Sequence, residues 1–160
     1  MARRVFYSFH YQNDNWRVAQ IRNIGSIDGN KPANDNDWEE IKRGGDKAIK
    51  NWIDSQMFNC LCTIVLIGSQ TANRKWINYE IEKTLEKGKG LFGIYIHNLK
   101  DKNGLQSLMG TNPFEYIKDK NGNKLSNTIP AYNPPYFDSK DVYSYIANNI
   151  ESWIEKALIR

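Results

Sequence analysis

Short, continuously apolar runs alternate along this chain with longer segments that carry an apolar stripe. Residues 5–9 (VFYSF) form a β-branched and aromatic run, the first expected strand. Residues 13–23 place Trp16, Ala19, Gln20 and Ile24 near helical spacing, which predicts a helix with that face inward. Residues 26–37 (SIDGNKPANDND) are rich in Gly, Pro, Asn and Asp, so they predict a loop with room for a short second strand. Residues 38–57 predict the next helix, striped by Ile41, Ala48, Ile49, Trp52 and Ile53. Asn36 or Asp37 suits its N-cap. The Gly44-Gly45 pair inside it predicts a break or kink.

Residues 61–68 (LCTIVLIG) give the clearest strand. Their unbroken apolarity is that of a central parallel strand covered on both faces. Residues 74–87 predict a helix with Ile77, Ile81, Thr84 and Leu85 inward, ended by Gly88 and Gly90. Residues 91–96 (LFGIYI) are a second unbroken apolar strand. From about 98 to 130 the periodicity is lost, as in an insertion, with a tight turn at 120–123. A weak strand follows within 131–137, where Pro134 and Pro135 allow only an edge position. The C-terminal stripe of Val142, Tyr145, Ile146, Ile150, Trp153, Ile154, Ala157 and Leu158, with Asn149 among them, predicts an amphipathic helix.

Strand and helix alternate without an internal repeat or linker. The expected fold is therefore one α/β domain over 1–160, a flavodoxin-like three-layer open parallel sheet of strand order 2-1-3-4-5. Such sheets bind ligands at the carboxyl ends of strands one and three, where the winding direction reverses.

Composition narrows the partners. At 160 residues with 40% hydrophobic content, the chain can bury one sizeable core. Its net charge is +4, but Lys and Arg are interleaved with Asp and Glu, as in IEKTLEKGKG. With no basic stripe, no nucleic-acid partner is expected, while an anionic small molecule is compatible. Cys60 and Cys62 alternate and should share one face as reduced thiols. With only those two and two distant His, no metal site is expected. Reduced thiols, no signal-like start and no apolar run long enough to span a bilayer point to a cytoplasmic protein without a membrane partner.

The candidate chemistry sits where those strands end. Strand one runs into Ser8-Phe9-His10-Tyr11 and strand three into Gly68-Ser69-Gln70. The following helix carries Trp76 and Glu80 one turn apart, near the same edge. Bland readings stand beside this one. Glu80 could be a solvated carboxylate paired with Lys83, and Trp76 a core ring. Ser8 and Ser69 could cap backbone groups, and His10 and His97 could be hydrogen-bonded surface groups. Asp37 and Trp38 could be a helix cap and a packing ring. Spacing alone leaves both sets open.

Three segments, RRVFYSFHYQND, VLIGSQTANRKWINYEIEKTLEKG and GIYIHNLKDKNG, together resemble TIR-like domains. Within that group they are most similar to the signal-making TIR-like proteins of Thoeris anti-phage systems. The likeness covers residues 3–103 and the C-terminal helix, and is poor from about 104 to 140. It implies an enzyme cleaving the nicotinamide–ribose bond of NAD⁺, an NAD⁺ nucleosidase or ADP-ribosyl cyclase. NAD⁺ would be substrate, with no separate cofactor. By position Glu80 becomes the catalytic carboxylate, and Ser8, Phe9, His10, Asp37, Trp38, Ser69 and Trp76 the substrate-binding set. The product implied is a cyclic ADP-ribose isomer read by a separate effector protein, with a phage trigger protein and a homo-oligomer as further partners. Many TIR domains are scaffolds, so the alternative is a non-catalytic TIR-type interaction module. A flavin-binding or phospho-receiver domain fits poorly. SFHYQND lacks a phosphate cradle, and strand three ends without an Asp.

One carboxylate is enough for the implied reaction. Ordinary glycosides need an acid for the leaving oxygen and a second carboxylate opposite. Nicotinamide leaves NAD⁺ as a neutral ring from a cationic state, so no acid is required. The remaining demand is to stabilise positive charge growing on the ribose carbon.

Overall fold

The computed structural model describes residues 3–25, 27–29 and 35–160, and the side chains of all of these except 35–38. Five strands form one parallel sheet in the order β2-β1-β3-β4-β5. They are β1 (Arg3–Ser8), β2 (Ile27–Gly29), β3 (Cys62–Ile67), β4 (Gly90–Tyr95) and β5 (Ala131–Tyr132). The helices are α1 (Tyr11–Arg22), α2 (Asp35–Arg43), α3 (Gly45–Met57), α4 (Lys75–Glu86) and α5 (Ser139–Leu158). This is the α/β fold and strand order that the alternation predicts.

Side-chain alternation divides the sheet cleanly. Val5, Tyr7, Cys62, Ile64, Leu66, Phe92 and Ile94 face α1 and α5. Phe6 faces α3, where Ile49, Ile53 and Met57 meet it. Val65 and Ile67 face α4 through Ile77 and Ile81. Every residue of β3 and β4 is buried, which is why both read as unbroken apolar runs. Tyr132 stacks on Trp153 of α5 at 4.3 Å, closing the β5 edge.

The structure adjusts several expectations. The helix expected from Trp38 begins at Asp35 and breaks at Gly44-Gly45, with Gly45 at φ 79. It starts before both Asn36 and Asp37, the residues expected to cap it, and the capping position falls outside the described residues. The strand hidden in the polar stretch is β2, only three residues long. β5 stops at Tyr132, before the prolines. Trp16 and Ala19 are exposed, and α1 instead buries Asp14, Arg17, Val18 and Ile21. The stripe was misplaced because half of the buried face is charged. Leu85 is largely exposed and Glu80 takes an inward place on α4. Cys60 and Cys62 do not share a face. Cys60 precedes the strand and packs with the α3 cluster, whereas Cys62 faces α1 and α5. Among the described residues, no helix is long and apolar enough to cross a membrane.

Candidate active site

Ser8 ends β1 in register with Val65 of β3, so its side chain emerges at the carboxyl edge on the α4 side. The chain then leaves through Phe9 and His10, and His10 occupies the N-cap position of α1. β3 leaves the sheet through Gly68. The Gly68 N–H donates to Thr71 Oγ1 at 2.8 Å, closing a tight turn. Asn73 follows in the left-handed region (φ 65), which Asn tolerates better than most residues. Arg74, in extended conformation, then introduces α4.

Glu80 sits in the second turn of α4 and is 9% exposed. Ser8 Oγ donates to its Oε1 at 2.6 Å, joining residues 72 positions apart across the switch point. Burial pushes the Glu80 carboxyl up to about 8, and the Ser8 hydrogen bond opposes that rise. The turn carrying Glu80 is also anchored from behind. Thr84 Oγ1 lies 2.7 Å from both the Glu80 carbonyl oxygen and Thr63 Oγ1 of β3. Thr84 donates to the Glu80 carbonyl and accepts from Thr63, which satisfies both contacts with one proton each. All three groups are buried, so this ladder fixes the rotation of α4 about its axis.

The other expected residues divide into two groups. Ser69 lies at the same edge, where Asn13 Nδ2 donates to its Oγ at 3.1 Å. His10 is half-buried there. Its imidazole is held below the ordinary histidine range first by burial and then by the Arg74 charge, which favours the neutral ring. Phe9 does not join Glu80. It packs against the cluster between the sheet, α1 and α5, and lies tilted on Tyr11 at 6.3 Å. Strand alternation forces this, because consecutive residues face opposite sides. Trp76 packs on the α3 cluster, edge-on to Tyr79 at 5.8 Å, with the Lys75 ammonium 4.9 Å from its ring centre. Asp37 and Trp38 lie in the first turn of α2, and their side chains fall outside the described residues. Lys83 pairs with Glu86 at 3.7 Å. His97, for which a surface position was the bland alternative, is 8% exposed and held below its ordinary pKa by burial and by Arg17.

Two cavities lie elsewhere. One of about 510 Å³ opens between α1 and α5 at Gln20, Asn23 and Tyr143. The other, about 360 Å³, lies at the amino end of β1 beside Asp28 and Cys60. Neither is lined by Ser8, Ser69 or Glu80. Chemistry, rather than either of these two hollows, marks the switch point. A buried carboxyl held by a hydroxyl at the ligand edge of a parallel sheet outweighs two open surface hollows. Among the described residues, no three His, Cys, Asp or Glu side chains converge to hold a metal ion.

Sequence reasoning passed over Asn13, Asp14 and Arg17. Asp14 and Arg17 are an i, i+3 pair of opposite charge, a signal that ordinarily marks a solvated helix face. The expected α4 stripe holds Thr84 but leaves out Glu80, although the spacing 77, 80, 81, 84 is itself inward.

The likeness to known proteins runs through these same elements. The sequence model of the family described as "Thoeris protein ThsB, TIR-like domain" matches residues 6–101, which run from within β1 through β4 and hold both ends of the Ser8–Glu80 contact. A protein of Bacillus cereus (strain MSX-D12), described as "Putative cyclic ADP-D-ribose synthase ThsB1", is 44% identical over 122 residues. That alignment covers 73% of this chain and 64% of the relative's length. With the strand order, the switch-point carboxyl and the matched segment in agreement, the chain belongs to the TIR-like domain family of the Thoeris protein ThsB.

Proposed function

We propose that this chain breaks the nicotinamide–ribose bond of NAD⁺ and forms a cyclic ADP-ribose-type nucleotide as a signal in anti-phage defence. The observation that carries the reading is the buried Glu80 carboxyl, held by Ser8 at the carboxyl edge of β1. The name of the Bacillus cereus relative supports the same chemistry.

In this reaction the bond between ribose C1′ and the pyridinium nitrogen breaks, and its electron pair leaves with neutral nicotinamide. The cation left on the ribose is stabilised by the Glu80 carboxylate. At rest the carboxyl holds its proton at neutral pH, because burial disfavours the charge. A pyridinium bound beside it favours the ionised form, so the substrate's own charge drives the proton to solvent. The Ser8 hydroxyl then donates to the carboxylate and keeps it aimed. Capture of the cation by water gives ADP-ribose. Capture by an oxygen or adenine nitrogen of the same molecule gives a cyclic product and releases a proton.

The same reading assigns substrate contacts to Ser69 and His10 at this edge, with Asp37 and Trp38 on α2. Trp76 and Phe9 support the walls of the site from behind rather than stacking beside Glu80. Residues 98–130 are a variable insertion on a single domain. The protein works in the cytoplasm, the nucleotide reaches a separate effector, and a phage trigger and self-assembly raise its activity.

The test is incubation of the purified protein with NAD⁺, with and without extract from phage-infected cells, followed by chromatography and mass spectrometry. Nicotinamide and a cyclic ADP-ribose isomer are expected. Glu80→Gln should lower turnover by about a hundredfold or more. Normal turnover by folded Glu80→Gln would remove the catalytic role of Glu80, and no NAD⁺ turnover by the triggered wild type would sink the reading itself.

A further inference from the structure

Asp14 and Arg17 in α1 are both buried, at 0% and 3% exposure, and pair at 3.2 Å. The Arg17 guanidinium spreads over more than its partner. Nε donates to the Leu99 carbonyl at 2.7 Å, and Nη2 donates to the Leu105 carbonyl at 3.0 Å. One planar fork thus grips the loop that follows β4 at two points six residues apart. Asp14 meets the other loop. A Cβ built on Gly68 would stand 2.1 Å from Asp14 Oδ2, so Asp14 lies directly against the backbone where β3 ends.

The two loops also touch each other. A Cβ on Gly110 would fall 2.0 Å from the Gly68 carbonyl oxygen and 3.1 Å from the Ser69 carbonyl carbon. Ser69 itself receives the Asn13 hydrogen bond from the turn of α1 just before Asp14. One face of α1 therefore grips the loop after β3 and the loop after β4 and presses them together beside Ser69.

Stability alone is a poor reason for this pair. Burying two charges costs desolvation that apolar side chains of the same size avoid. Asp14 also leaves Oδ2 without a hydrogen bond, and burial pushes its carboxyl up against the pull of Arg17. An apolar pair would fill the volume, but it could not bind two carbonyls and one glycine turn in fixed geometry. We infer that Asp14 and Arg17 are positioning residues that set the substrate edge, holding the loop of residues 99–110 on Gly68 so that Ser69 faces the dinucleotide. This rests on the NAD⁺ reading above and adds residues outside the Glu80 carboxyl.

The test separates binding from chemistry. In a Glu80→Gln background NAD⁺ affinity can be titrated calorimetrically without turnover. Adding Arg17→Met should weaken NAD⁺ binding about tenfold, and Arg17→Lys less, because lysine keeps the charge but loses the fork. Gly110→Ala changes only a loop and serves if Arg17→Met fails to fold. Its methyl would force the loops apart, and the same weakening is expected. With Glu80 intact, both variants should raise KM and leave kcat within about twofold. Unchanged affinity and KM in folded Arg17→Met or Gly110→Ala overturn the positioning role while leaving the NAD⁺ reading intact. Wild-type turnover by folded Glu80→Gln removes only the catalytic role of Glu80, and KM for NAD⁺ then reports on the loops in place of the titration. No saturable NAD⁺ binding by either wild type or Glu80→Gln overturns both.

Discussion

On the proposed NAD⁺-cleaving function, removing the Ser8 hydroxyl should shift the pH range of turnover. Ser8 donates at 2.6 Å to a carboxyl that is otherwise desolvated. Of the two effects on Glu80, burial is the larger and raises its pKa, while Ser8 lowers it. Ser8→Ala leaves burial unopposed, so the carboxyl must rise above about 8. A hydrogen bond to a charged group contributes about 1.5 kcal/mol or more, which corresponds to roughly one pH unit. The profile to measure is kcat/KM for NAD⁺ against pH, because it reports ionisation in the free enzyme. Wild type should lose activity as pH falls through its carboxyl value. In Ser8→Ala that acid limb should lie about one pH unit higher, with about a tenfold loss at neutral pH that is recovered in alkaline buffer. Short assays against enzyme-free blanks remove the slow alkaline breakdown of NAD⁺. An unmoved limb in folded Ser8→Ala would refute the link between Ser8 and the ionisation of Glu80. A loss of equal size at every pH would show that the hydroxyl acts on substrate geometry instead.

Two further outcomes follow from the same contacts. Glu80 binds its proton more tightly folded than unfolded, so its contribution to stability is fully present at low pH. That contribution is lost as pH rises from the ordinary carboxylate range through about 8, by up to about 1.4 kcal/mol per pH unit. Thermal melts should therefore fall more steeply with pH for wild type than for Glu80→Gln, and parallel curves would contradict the raised value. Gly68→Ala should destabilise by about 1–3 kcal/mol in urea titration, because the new methyl would meet Asp14 at 2.1 Å. A neutral outcome would mean that the α1 contact is looser than described.

Periodicity alone delivered the order of elements. Unbroken apolar runs at β3 and β4 identify strands covered on both faces, and the spacing in α5 identifies a helix with one buried side. These are local properties, because the repeat of a helix or strand is set by its own backbone. The same periodicity misled at α1, where Asp14 and Arg17 occupy the buried face that apolar residues normally hold. No count of hydrophobic positions can register a buried charge pair whose partners are Leu99 and Leu105, more than eighty residues away.

The chain order of Ser8 and Glu80 therefore determined which strand end and which helix would carry them, and no more. Only the folded sheet brought the two within 2.6 Å, put Phe9 on the opposite face and turned Trp76 toward α3. It also set the charge state of Glu80. A carboxyl's proton affinity depends on the water removed from around it, and that water was displaced by elements distant in sequence.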